Sequence, residues 1–467
     1  MPRYTSGNSP DNGYAPMGKA MQPNNEPYEQ KIAYARASLW APFYAVGMVA
    51  RIQGNVPTML LEESLRKLQT LYPPLASRVR VEQDGSAWLT TKGVGECPLE
   101  VRSKTSGDDW VNLFLEQEKI PFAFERGPLT RFFLLRGDQS SDLIAIAPHV
   151  VCDGYSMTQV MGDAVALLND PEREVTRPAF PPAVTWQNVT HSARDNLFLR
   201  VLVRVLNRVW PDGRVVTRQE GYEELHRSYW ARQQNGLLAF ELSPDETSAL
   251  AARCRQRGVS VTGALVAAFL LAQADVLAIQ PARYELTIAV SIRDRLVQLP
   301  DRAVGVYASS LDLALHPKLG NSFWKLAREG HARIHQGLGD RARILKPLVL
   351  NELDPLIADE LIAGMSTNQW SGASRLLTRF VKIIRETRCM DVSNIGRIDL
   401  PEVGGPYRLE TLLPFPPMVP GGRMALNVLT VNGQMNIILK FRQNEMDDAT
   451  VTRIKDRALS YLSGAGE

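Results

Sequence analysis

Leu143-Ile144-Ala145-Ile146-Ala147-Pro148-His149-Val150-Val151-Cys152-Asp153-Gly154 is the stretch whose reading decides the fold. Its first five residues are apolar without alternation, the pattern of a strand buried on both faces of a sheet. Pro148 keeps Ala147 extended, so His149 stands where the strand ends. An imidazole there is held by the sheet yet still meets a substrate. Its ordinary pKa near neutrality lets it take up and return a proton within one turnover. Taken alone, the HxxxD spacing is a weak signal, since a buried His capping a local turn has the same pattern. Position favours catalysis: the His precedes a glycine and a helix, where clefts of α/β sheets open. Asp153 is placed to orient the ring or to hold the loop through a salt bridge, and the structural role is the one expected. Gly154 supplies a backbone conformation or a space that a Cβ would deny. Cys152 reads as packing, because nothing nearby lowers the pKa of its thiol.

Outward from this segment the order is strand, His-bearing turn, helix. Ser156 is the expected N-cap. Met157, Val160, Met161, Ala164, Val165 and Leu168 then form one helical stripe, ending before Asn169-Asp170-Pro171. Upstream, Leu60, Leu61, Leu65, Leu68 and Leu71 predict a helix over 58–71 that Tyr72-Pro73-Pro74 stops. Short strands are expected at 77–81, 87–90 and 129–135. Downstream, 171–186 is a proline-rich linker. Arg194 to Arg218 then carries six arginines against Asp195 and Asp212. Arg200, Arg204 and Arg208 recur every four residues, as on one side of a basic amphipathic helix. It reads either as a solvated face or as a docking patch for an acidic carrier protein or coenzyme A phosphates, and its apolar side permits peripheral membrane contact.

The pattern restarts near Leu237. A strand over 237–242 leads to Ser243-Pro244-Asp245-Glu246, a helix start with N-cap, proline and early acids. That helix ends at Gly258. Thr262 opens a second helix whose apolar run, Ala264 to Ala272, is too short to span a bilayer. Strands are expected at 284–291 and 304–315, and helices at 321–337 and 372–388. Asn432-Gly433 marks a hairpin between 427–431 and 435–441, and a last helix runs over 449–462. The organisation is two α/β halves with a connector: a flexible tail at 1–30, a first lobe at 31–185, a connector at 186–235 and a second lobe at 236–467.

Composition narrows the function. The 467 residues carry a net charge of only +3, too little to point to nucleic acid. Four scattered cysteines form no CxxC pair, and the first thirty residues have no apolar signal core, so a cytoplasmic protein is expected. There is no GxSxG elbow, phosphate-binding loop or GxGxxG. His331 and His335 have the i, i+4 spacing of metal ligands but lack the HExxH glutamate, and read as packed or surface residues. No metal and no permanently bound cofactor are expected.

The segment His149-Val150-Val151-Cys152-Asp153-Gly154 resembles the HHxxxDG motif of the coenzyme-A-dependent acyltransferase superfamily. That superfamily includes chloramphenicol acetyltransferase, nonribosomal peptide condensation domains, alcohol acetyltransferases and polyketide-associated acyltransferases. Further segments are similar and in the same order: Leu65 to Leu75, Gly258 to Thr262, Ser291-Ile292-Arg293, and Val392-Ser393-Asn394-Ile395-Gly396-Arg397. Pro148 replaces the first His of the doubled motif, as in the single-His form of chloramphenicol acetyltransferase, and His149 keeps the place of the base. The resemblance, over about 31 to 465, implies an α/β fold of two chloramphenicol-acetyltransferase-like lobes in a V, with a tunnel between them. It also implies an ion pair between Asp153 and Arg293, in a structural role with Gly154 beside it.

The expected activity is acyl transfer to a hydroxyl on a small molecule or lipid. The donor is acyl-coenzyme A or a phosphopantetheine-linked acyl group on a carrier protein. His149 is the base, and Ser393 or Asn394 is a candidate oxyanion donor or substrate contact by motif proximity. An amide-forming enzyme with an amine acceptor would use the same residues. A non-catalytic carrier-binding member is the other alternative. A monomer is expected.

Overall fold

The computed structural model describes residues 27–178, 183–189, 197–210, 217–278, 284–297, 299–300, 302–315, 322–340, 344–345, 348–349, 351–370, 374–375, 388–399 and 404–464. The expected tail up to residue 26 and most of the expected helix at 372–388 lie outside them. The first half runs β1 (Glu29–Lys31), β2 (Ala45–Gln53), α1 (Thr58–Leu71), β3 (Arg78–Val81), β4 (Ala87–Thr90) and β5 (Leu99–Ser103). It continues through α2 (Asp109–Gln117), β6 (Arg131–Arg136), β7 (Ser140–Pro148) and α3 (Gly154–Asn169), and then α4 (Leu197–Val209) and α5 (Gln219–Trp230). The second half runs β8 (Asn235–Leu242), α6 (Pro244–Arg257), α7 (Val261–Leu277), β9 (Tyr284–Ser291), β10 (Ala308–Leu315), α8 (Phe323–Gly339) and α9 (Pro355–Thr367). It closes with β11 (Arg388–Ile398), β12 (Leu409–Phe415), β13 (Met424–Val431), β14 (Gln434–Arg442) and α10 (Asp448–Ser463).

Two larger sheets and one small one result. The first has the order β12-β2-β7-β6-β5, with β7 at its centre. That place suits the unbroken apolar run, since every residue of β7 after Ser140 is buried. The second has the order β10-β9-β11-β13-β14-β8, and β1, β4 and β3 form the third. β12, from the last quarter of the chain, pairs antiparallel with β2 and so completes the edge of the first sheet.

The apolar cores follow the strand pleat. On β13 and β14, Leu426, Val428, Ile437 and Leu439 join the core under α7, whereas Leu429, Val431 and Ile438 join the core of the first sheet. Both faces are therefore buried, which explains why β13 reads as apolar without alternation. α7 is buried almost all round, as its composition predicts. The α6 start has a complete capping box between Ser243 and Glu246, and Gly258 closes the helix in the left-handed conformation. Asn432 and Gly433 have φ of 49° and 90°, the geometry of the two-residue hairpin expected there.

Two expectations need correction. The strand expected at 304–315 begins only at Ala308, because residues 303–307 fold back onto the loop after β7. Ser156 is not the cap of α3; Asp153 is, accepting the backbone N–H of Ser156.

Candidate active site

His149 is positioned by backbone before side chain. Pro148 is the last paired residue of β7, in register with Ala45, and the N–H of His149 donates to Tyr44 O at 2.8 Å. The ladder thus reaches one residue past the strand. The Tyr44 ring meets the imidazole edge-on, with centroids 5.6 Å apart. The N–H of Val151 donates back to Pro148 O, which closes a turn and lifts His149 off the strand axis. The side chain is partly enclosed. Burial pulls its pKa below the ordinary 6.5; a hydrogen bond to its own backbone carbonyl and the charge of Asp153 oppose that pull less strongly. Near neutral pH the ring is uncharged, the state a general base needs.

Asp153 commits both carboxylate oxygens elsewhere. Oδ1 accepts from the N–H of Ser156 at 2.7 Å, and Oδ2 from the N–H of Tyr307 at 2.8 Å. Arg293 Nη2 lies 3.4 Å from Oδ1 and donates to Ser156 Oγ at 2.7 Å. Arg293 Nη1 donates to Ala303 O at 2.9 Å. The guanidinium is stacked between two rings, 4.8 Å from the Tyr155 centroid and 4.4 Å from that of Tyr307. The Asp153 N–H donates to Gly305 O, and Ser156 Oγ both donates to Gly305 O and accepts from the Gly305 N–H. Asp153 and Arg293 thus form a clamp in which the 303–307 segment holds the His149 loop against the start of α3. Ser156, Tyr155, Tyr307 and Gly305 belong to this clamp, and nothing in their local sequence marks them for it.

Gly154 answers its own question: its φ is not in the left-handed region, so space is the reason for the glycine. A Cβ there would lie 3.1 Å from Ile395 Cδ1 of β11. The second sheet therefore touches the first turn of α3, next to His149. β11 bulges between Asn394 and Gly396, and Gly396 sits at φ 101°, which side chains with a Cβ avoid. Asn394 shapes this bulge. Its Oδ1 accepts from the Gly396 N–H at 3.0 Å, and its Nδ2 donates to Thr262 Oγ1 at the start of α7. Ser393 is half-buried on the same strand, in register with Asn427.

The other candidates lie elsewhere. Cys152 is fully buried, and burial pushes its thiol pKa far up, so it is no nucleophile. Arg200 is tied to Glu352 at 3.3 Å and lies over the Trp186 ring, whereas Arg204 and Arg208 are exposed on α4. His331 Nδ1 accepts the Ser260 N–H at the N-cap of α7, and no group of three metal-binding side chains occurs among the described residues. His226 on α5 escaped the sequence reading. It is buried between Tyr222 and Trp230, and burial holds its pKa at about 4. A crevice beside the loop is lined by Tyr34, Val150, Val151 and Val304 but not by His149.

Comparison with known proteins agrees with this architecture. A family model described as the phthiocerol/phthiodiolone dimycocerosyl transferase C-terminus matches residues 233–354. No curated protein matches the sequence. Among solved structures, the trichothecene 15-O-acetyltransferase of Fusarium sporotrichioides superposes with a TM-score of 0.65 at 12% identity, covering 94% of this chain and 95% of that one. The condensation domain of the monacolin K polyketide synthase gives 0.62 at 11% identity, covering 94% and 97%. Polyketide synthase associated protein 5 from Mycobacterium tuberculosis gives 0.56 at 12%, covering 94% and 100%. At such identities the likeness is one of fold, and it extends over nearly the whole chain.

Proposed function

We propose that this chain, which has the two-lobed fold of condensation domains and chloramphenicol-acetyltransferase-like acyltransferases, transfers an acyl group from a coenzyme A or carrier-protein thioester to a hydroxyl. The observation that carries the reading is the imidazole of His149, held at a strand end by Tyr44 and adjoining a loop that both sheets clamp. In this reading the lobes form a V, and donor and acceptor enter a tunnel between them from opposite faces. The thioester is a co-substrate that leaves as free thiol, not a resident cofactor.

The chemistry balances around one proton. One ring nitrogen of His149 is engaged with its own backbone carbonyl, and the other accepts the acceptor hydroxyl. As the hydroxyl oxygen bonds to the thioester carbonyl carbon, its proton passes to the imidazole. Collapse of the tetrahedral intermediate breaks the C–S bond, and the imidazolium returns the proton to the departing thiolate. Ester and thiol leave, with His149 neutral again. Such a base contributes about 10²–10⁴-fold in rate, and holding both substrates in one geometry supplies much of the rest. Ser393 is the better of the two oxyanion candidates, because Asn394 already spends its amide on Gly396 and Thr262.

The test is release of free thiol from short- and long-chain acyl-coenzyme A in the presence of alcohol or amine acceptors, with product mass measured. Alcohol-dependent release with ester formation is expected. Amide formation alone would replace the proposed acceptor, and thiol release from no donor with any acceptor would overturn the reading.

A further inference from the structure

α4 has an inner and an outer face of different character. Inside, Val203 and Trp210 are buried in a small core with Val349, Leu353 and Ile357. Arg200 pairs with Glu352, Asn207 donates to Glu352 O, and Trp210 Nε1 donates to Glu360. The helix is therefore fixed by one side. Outside, Leu197, Val201, Val205 and Val209 are 70%, 47%, 49% and 64% exposed. Four of the nine large exposed hydrophobic residues of the described chain thus stand on one helix at four-residue spacing. Single exposed apolar residues are ordinary, but a row about 18 Å long is not. Arg204 and Arg208 are exposed along the same side, and no acidic residue occurs anywhere in α4.

We propose that this outer face of α4 seats the protein on an anionic lipid bilayer. The inference is independent of the chemistry at His149. Leucine and valine side chains enter the boundary between headgroups and acyl chains, while the two guanidinium groups pair with lipid phosphates. A protein partner fits the face less well. Binding hot spots between proteins favour Trp, Tyr and Arg and are poor in Leu and Val, and among the described side chains of this face one Leu and three Val supply the exposed apolar surface. No single helix among the described residues is long and apolar enough to cross a membrane.

The experiment is co-sedimentation of the full chain with vesicles rich in phosphatidylglycerol and with vesicles of phosphatidylcholine alone. Two variants are compared with the parent, Arg204→Gln/Arg208→Gln and Val201→Ser/Val205→Ser. All four positions are exposed or outward-facing, and unchanged thermal melting verifies the fold. The expected result is binding to the anionic vesicles that weakens with salt. Loss of two arginines lowers partitioning on the order of thirtyfold, about fivefold for each. The valine variant also binds severalfold more weakly. No binding to anionic vesicles, or equal binding by all three proteins, overturns the proposal. So does capture of a purified acidic carrier protein, abolished by the same substitutions, without any vesicle binding.

Discussion

A base on an enclosed imidazole works only while the imidazole is uncharged. Burial holds the His149 pKa below 6.5, and a lowered pKa keeps the neutral form populated to lower pH. The pH profile of kcat/KM is therefore expected to be flat around neutrality and to fall only below about pH 6.5, with one acid limb. A limb centred well above that value would place the active group elsewhere. Arg293 is held by geometry as well as charge. Its two ring contacts, Ala303 and Ser156 all use the planar guanidinium, so Arg293→Lys is not a mild change. Both Arg293→Lys and Arg293→Ala are expected to lower thermal stability, the latter by about 3 kcal/mol, because Asp153 stays buried without its charged partner. Equal melting temperatures for parent and variants would refute the clamp. At this scale His149 was legible because strand end, base and glycine are contiguous. The Asp153–Arg293 pair followed only from resemblance to a family. Ser156, Tyr155 and Tyr307 were not legible, since their roles arise when residues about 150 positions apart meet.

The elements that sequence predicted well carry their own boundary chemistry. α6 has its capping box and terminal glycine, and the β13–β14 hairpin has Asn432-Gly433. β2 and β12 carry no such marks. β12 contains Pro414 and gains its place in the sheet by pairing with β2, more than 350 residues upstream. The strand expected from Val304 begins late, at Ala308, for a related reason: residues 303–307 have polar partners in Arg293, Asp153 and Ser156, which outweigh continuation of the ladder. The meeting of α3 with β11 yields a prediction at this scale. Gly154→Val drives its side chain into Ile395, so activity or stability falls, the latter by about 1–3 kcal/mol. Ile395→Ala in the same chain is expected to restore much of the loss. If Ile395→Ala brings no relief, the two elements do not meet as described.

The two sheets are held together by buried charge as well as by shared core. Lys440 of β14 donates to Glu118, just after α2, at 2.5 Å, and both side chains are 2% exposed. Glu118 also accepts from Asn235 Nδ2, and Lys440 donates to Pro416 O. Removing one member leaves the other charge buried alone, so Lys440→Met is expected to cost about 3–5 kcal/mol in denaturant unfolding. Glu118→Gln/Lys440→Met should recover most of it, whereas additive losses would mean that the pair does not couple. The central proposal for the whole molecule is that His149 is the base of acyl transfer. The most direct measurement is kcat/KM for alcohol-dependent thiol release by His149→Ala, compared with the parent at matched melting temperature. A fall of about 10²–10⁴-fold is predicted. Full activity in the folded variant would contradict the account.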